Sequence, residues 1–176
     1  TAGIDDIRPY NFMQGSKIPF YADRNVLKAL RERFAYVFET ENRYPGAPGV
    51  EEFVVDKNKP FELGGIKVIP IEAMHFNLPV LGYRFGDFTY LTDVKTIAEE
   101  EIEKIIGTKV LVVNALRKEP HYSHFNLEEA LSFVEKIQPE KAYFTHISHN
   151  MGFHEEVEKT LPENVHLAYD TLSITI

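Results

Sequence analysis

Ile66-Lys67-Val68-Ile69-Pro70-Ile71-Glu72-Ala73-Met74-His75 is the stretch on which the reading of this chain turns. It is an apolar, β-branched run that follows a Gly64-Gly65 turn signal and stops at a histidine, a composition that reads as a strand from Ile66 to about Ala73. Further strands are predicted from Val80 to Phe85 and from Phe88 to Leu91, joined at Gly86-Asp87. That pair suits a two-residue hairpin, because glycine supplies the positive φ such turns need. With Phe53-Val54-Val55 ahead of them, these runs predict one antiparallel meander beginning at Phe53.

Outward from the meander the pattern changes. After Asp93, Thr96 and Glu99 have capping-box spacing before a helix bearing Ala98, Ile102, Ile105 and Ile106, which Gly107 closes. A strand Val110-Leu111-Val112-Val113 follows. Asn126 and Glu129 repeat the capping pattern for a helix with Leu127, Ala130, Leu131 and Val134 on one face, stopped by Pro139. A strand over Ala142 to Phe144, a helix from about Met151 to Leu161, and strands over Val165 to Ala168 and Leu172 to Thr175 complete the chain. On the other side of the meander lie a short strand, Ile18 to Ala22, and a helix capped by Asp23 with Val26, Leu27, Leu30, Phe34 and Val37 at helical spacing. A turn-rich loop with Pro45, Gly46, Pro48 and Gly49 comes next. Strands first and alternating helices and strands afterwards predict an α/β fold, in one sheet or in two sheets flanked by helices.

The 176 residues, 44% of them hydrophobic, suffice for one core, and residues 1–176 are read as a single domain. Against 27 acidic residues there are 19 basic ones, and the net charge of -8 disfavours a nucleic-acid partner. The absence of cysteine excludes disulfides, thiolate metal sites and a cysteine nucleophile. No apolar run approaches the roughly 18 residues of a membrane span, and the acidic start is unlike a signal peptide. A cytoplasmic protein is expected, with an N-terminus upstream of Thr1 because the chain opens without methionine.

Of the seven histidines, His75, His121 and His124, and His146, His149 and His154 fall in three short contexts. His75, Asp93 and His146 each stand at or just past the end of a predicted strand. Such positions are rigidly supported yet open to a cleft, as a metal ligand must be. Imidazole nitrogen and carboxylate oxygen suit zinc, iron or manganese, and an open coordination position makes a bound water acidic enough to become a hydrolytic nucleophile, a metal-bound hydroxide. Each residue alone also has an ordinary reading: His75 as a hydrogen-bonded strand end, Asp93 as a turn or cap, His146 and His149 as a surface helix start, His121 and His124 as polar loop residues.

Taken in order and spacing, Thr1-Ala2-Gly3-Ile4-Asp5-Asp6-Ile7-Arg8-Pro9-Tyr10, Ile69 to His75, Gly82 to Phe85, Tyr90-Leu91-Thr92-Asp93, His121-Tyr122-Ser123-His124-Phe125-Asn126-Leu127 and Thr145-His146-Ile147-Ser148-His149 resemble the metallo-β-lactamase superfamily. Within it they resemble the branch containing the phosphoribosyl cyclic phosphate phosphodiesterase. The resemblance implies an αβ/βα four-layer sandwich and a two-metal cleft holding zinc, manganese or iron. It makes His75, Asp93 and His146 metal ligands, with Asp93 bridging, and gives His124 a proton-donating catalytic role beside the substrate phosphate. His149 would be a substrate-binding or supporting residue. The family's His-x-His-x-Asp-His motif does not occur in this sequence. The chain is therefore expected to be the C-terminal majority of the fold, N-terminally incomplete, weak in metal binding and inactive alone. The expected parent is a phosphodiesterase acting on a small cyclic or nucleotide-like phosphate ester, with a homodimer as the candidate assembly. A transfer-RNA-processing nuclease and a non-catalytic binding domain on the same fold are the alternatives.

Overall fold

The computed structural model describes residues 2–176, and Thr1, the first residue of the N-terminal matching segment, lies outside the described residues. The chain forms two compact units, Thr1–Asp56 and Lys57–Ile176.

In the first unit a 3-10 segment, Ala2–Ile7, runs into helix α1 (Arg8–Gln14), followed by β1 (Ile18–Ala22), α2 (Arg24–Arg33), α3 (Ala35–Phe38) and β2 (Val50–Val54). Asp23 caps α2 as expected, accepting the backbone N–H groups of Asn25 and Val26. The apolar stripe of the expected helix is present, but the helix breaks at Phe34, whose φ of -122° and ψ of 44° leave the helical region. Ile4, Val37 and Val50 form a small core that Ile7, Phe20, Phe34 and Phe38 pack against. The strand around Phe53 does not open the meander. It pairs in parallel with β1, from Ile18 opposite Val50 to Ala22 opposite Val54. Parallel pairing requires a long crossover, which α2 and α3 provide, and Tyr21 stacks on Phe53 at 4.8 Å.

The second unit is a seven-stranded mixed sheet in the order β3 (Phe61–Leu63), β4 (Ile66–His75), β5 (Leu78–Phe85), β6 (Phe88–Tyr90), β7 (Val110–Asn114), β8 (Lys141–Thr145) and β9 (Val165–Leu167). Pairing is antiparallel from β3 to β6 and parallel from β6 to β9. The change of direction falls where the sequence changes from hairpins to helix–strand alternation. Every residue of β7 is buried, consistent with its nearly all-apolar composition, since central parallel strands are covered on both faces. Helices α4 (Glu99–Ile102), α5 (Leu127–Ile137) and α6 (His154–Glu158) pack on β4, β7 and β9 respectively. The α/β class is as expected. Among the described residues no helix is long and apolar enough to cross a membrane.

Several details differ from the sequence reading. Thr96 does not cap α4, because its backbone is committed to Met74 in an isolated bridge, and the helix starts after Ala98 without a side-chain cap. The helix expected from Met151 is split by Gly152 (φ 106°) into a 3-10 turn, His149–Met151, and α6. Leu172 to Thr175 form no strand. The capping box of Asn126 and Glu129 is formed in full, and Gly64 and Gly65 (φ 58° and 81°) make the two-residue turn between β3 and β4.

Gly82 lets β5 approach the chain leaving β6. A Cβ there would lie 2.2 Å from Leu91 Cδ2 and 2.8 Å from the Tyr90 carbonyl oxygen. Because the backbone oxygen cannot swing aside, Gly82→Ala is expected to cost about 1–3 kcal/mol, read from the midpoint of urea unfolding. At the other edge, Glu158 on α6 accepts the Leu167 N–H (2.7 Å) and a bond from His166 Nδ1 (2.9 Å). Burial alone would raise the Glu158 pKa, but the Leu167 and His166 bonds outweigh it and leave it below its ordinary 4.5. A depressed folded pKa stabilises above the unfolded value and is lost as pH falls through the folded one. Glu158→Gln should thus cost about 1 kcal/mol at neutral pH, and the gap from the native chain should close on acidification below the ordinary carboxylate range.

Candidate metal centre

The site is assembled by hydrogen bonds among strand ends. His75 is the last residue of β4, opposite Leu78, so Phe76 and Asn77 form a two-residue turn that the sequence reading, starting β5 at Val80, did not foresee. Met74 exchanges backbone hydrogen bonds with Lys95 and Thr96 (Met74 N–H to Thr96 at 2.8 Å, Lys95 N–H to Met74 at 2.8 Å), which ties His75 to the segment just past Asp93. Asp93 follows β6, and His146 follows β8 directly. Both are left-handed, with φ of 59° and 57°. Asp and His are among the residues that tolerate this region best, yet a non-glycine residue there carries a cost of order 1–3 kcal/mol that surrounding structure must impose.

Asn114 imposes it at Asp93. This wholly buried side chain ends β7, accepts the Val94 N–H at 2.7 Å and donates to the Val94 carbonyl at 3.0 Å. The same carbonyl accepts the Phe125 N–H at 2.7 Å, which places His124 beside Asp93. Ala115 N–H to Thr145 and Ser148 N–H to Leu116 bind the His146 loop to the same framework.

The side chains converge on one oxygen. His124 Nε2 lies 3.1 Å and His146 Nε2 3.4 Å from Asp93 Oδ1. His75, Asp93 and His124 each offer a ligand atom within 4.8 Å of the others. The His124 ring sits 4.6 Å from that of His75 and stacks at 4.8 Å on that of His146. His121 joins from behind, and its Nδ1, Ser123 Oγ and His124 Nδ1 lie within 3.3 Å of one another. The fold thus brings together His75, Asp93, His124 and His146. His149, exposed on the 3-10 turn, has no hydrogen bond or ring contact to them among the described residues. Asn114 and His121 went unnoticed in the sequence as site residues. The signals were a polar residue closing an apolar strand and the three-residue spacing of His121 and His124.

Burial alone would raise the Asp93 pKa, but the hydrogen bond from His124, the nearby His146 and the Thr92 hydroxyl (3.2 Å) outweigh it and hold the carboxyl below its ordinary value. Burial pushes His124 down, more than its bond to Asp93 pushes it up, and His75 and His146 add to the depression. His121 is lowered likewise, by burial and then by His124, Arg117 and Lys95. Burial thus resists protonation at His121 and His124 while Asp93 is held as a carboxylate, and neutral imidazole nitrogen and carboxylate oxygen are the donors that bind a divalent cation. The donor set fits a metal, although the ligands present are fewer than two ions require.

A family profile described as "Beta-lactamase superfamily domain" matches residues 1–147, running through both compact units. The chain belongs to the metallo-β-lactamase superfamily. A crystal structure of a diphosphatase from the PhnP family superposes with a TM-score of 0.88 at 35% identity over 99% of this chain and 66% of that one. Zinc-bound PqqB from Methylobacterium extorquens has the same fold, with a TM-score of 0.74 at 14% identity over 100% of this chain and 69% of that chain. An octanoyltransferase from Porphyromonas gingivalis is 37% identical over all of this chain but only 35% of its own length. This superfamily member thus spans about a third of the length of that curated relative.

The clamp on Val94 is testable. Asn114→Leu keeps the volume but orphans the buried Val94 N–H, and is expected to cost about 1–3 kcal/mol in denaturant unfolding. Unchanged stability would mean that the loop carrying Asp93 is held by other contacts.

Proposed function

We propose that residues 1–176 are the greater part of one metal-dependent hydrolase domain acting on a small phosphate ester, as a phosphodiesterase. The observation that carries the reading is the convergence of His124 Nε2 and His146 Nε2 on Asp93 Oδ1 (3.1 and 3.4 Å), with His75 in the same cluster. The likeness to a PhnP-family diphosphatase at 35% identity supports the phosphoryl substrate class. The net charge of -8 favours a small substrate over a polynucleotide.

In this reading His75, Asp93 and His146 hold the cation, zinc or manganese, which when bound supplies Lewis acidity and an acidified water. Asp93, anionic and fixed by the Asn114 clamp, sets the negative charge of the site. His124 is assigned proton donation to the departing oxygen, with Asp93 facing its Nε2 and Ser123 and His121 its Nδ1. Burial resists its protonation in the free chain, so the role requires it to take up a proton when the anionic substrate is bound. His149, which makes no contact with the cluster among the described residues, is assigned only a supporting role toward the substrate.

Three ligands fall short of two catalytic metal sites, so the chain alone is expected to bind one ion weakly and to be inactive. Calorimetric titration with manganese or zinc tests this, and two tightly held ions per chain would overturn it. The ligand shortage also favours a second reading, a binding domain without catalysis. A His-x-His-x-Asp-His motif encoded before Thr1 would support the enzyme, and the corresponding gene product should hydrolyse bis-aryl or cyclic phosphates. No hydrolysis of either with metal bound would reject the phosphodiesterase.

A further inference from the structure

Phe76 and Tyr122 are exposed aromatic residues at the edge of the histidine cluster, each next in sequence to one of its members. Phe76 follows His75 and is 58% exposed, and Tyr122 follows His121 and is 71% exposed. Their rings meet edge to face at 5.8 Å, and the Tyr122 ring lies 4.5 Å from His121, itself 5.1 Å from His124. A continuous file of rings therefore leads from solvent to Asp93.

Lone exposed aromatics are unremarkable on a protein surface. These two are held, and at a cost. Phe76 occupies the first position of the two-residue turn between β4 and β5 with φ of 55°, a conformation that suits asparagine or glycine and in which a bulky residue is an outlier. Tyr122 rides on a loop fixed by Leu116 N–H to Phe125, Leu127 N–H to Arg117, Asn126 Nδ2 to Lys118 and Arg117 Nη2 to Pro120. Strain retained at a turn, and an ordered loop presenting an exposed ring, are what a binding surface requires and what stability alone does not.

We propose that Phe76 and Tyr122 seat the nucleobase of a nucleotide substrate whose phosphate reaches the histidine cluster. The inference rests on the phosphate-ester reading above and adds the two residues that would select a base-bearing substrate within it. An edge-to-face pair leaves flat ring surface open to water. A flexible acyl chain gains little there, since it needs an enclosed groove. A planar base stacks on such a platform and keeps its polar edge solvated, which is how sequence-tolerant base binding works elsewhere.

The full chain is titrated calorimetrically with adenosine monophosphate and with ribose 5-phosphate in the presence of manganese. The nucleotide is expected to bind about tenfold more tightly than the sugar phosphate. Phe76→Asn and Tyr122→Ser are each expected to remove most of that preference and leave ribose 5-phosphate affinity unchanged. Phe76→Asn also relieves the left-handed strain, so its Tm should hold or rise, which separates a lost binding surface from a lost fold. Equal affinity for the two ligands, a preference that survives both variants, or no binding of either ligand overturns the proposal. Manganese titrated alone reports on the metal centre. Metal binding without nucleotide preference rejects the aromatic seat and spares the metal reading, whereas nucleotide preference without metal binding does the reverse.

Discussion

The hydrogen bonds that Asn114 makes to both backbone groups of Val94 hold the site together. They fix the chain immediately after Asp93 to the end of the fully buried strand β7, and through the Val94 carbonyl they reach the backbone beside His124. Without them Asp93 would have no reason to keep a left-handed backbone, and a carboxylate free to turn away would not gather two imidazoles on one oxygen. Burial makes the arrangement strong. An amide with no access to water has no alternative partner, so its two bonds are obligatory rather than optional.

Much of the fold was legible because apolar patterning and turn chemistry are local. The glycine turn at Gly64 and Gly65, the capping box of Asn126 and Glu129, and the apolar β7 all act within a few residues and were read correctly. What failed depended on partners distant in sequence. The apolar residues around Phe53 suit any sheet, and periodicity says nothing about which strand lies alongside, so its parallel pairing with β1 was hidden. Thr96 has cap chemistry, but its backbone is claimed by Met74. The site shows the same division. His75, Asp93, His124 and His146 were visible from strand ends and motif order, whereas Asn114 acts on a residue 20 positions away and looks like an ordinary strand terminus.

The electrostatics follow from the same packing. The chain carries a net charge of -8, yet the cluster holds one carboxylate among histidines whose protonation burial resists at His121 and His124. A half-buried carboxylate beside imidazoles that burial holds back from protonation presents oxygen and nitrogen donors together, the chemistry that suits a divalent cation. The donor set suits a cation, in a protein whose overall charge also attracts cations.

Strain follows the same logic. Phe76, Asp93 and His146 all have positive φ, and all lie in the turns that bound the cluster. Left-handed backbone at non-glycine residues costs of order 1–2 kcal/mol each, a large sum against the total stability of a domain this size. A chain under selection for stability alone would place glycine or asparagine at such turns, as it does at Gly64, Gly65 and Gly86 a short distance away. The same sheet therefore uses the unstrained solution on one side and the strained one on the other. Of the five non-glycine residues with positive φ among the described residues, Gln138 and Thr171 lie elsewhere, Gln138 as the C-cap of α5. The other three carry a carboxylate, an imidazole or an exposed ring at the cluster, where the side chain rather than the turn is what the fold retains.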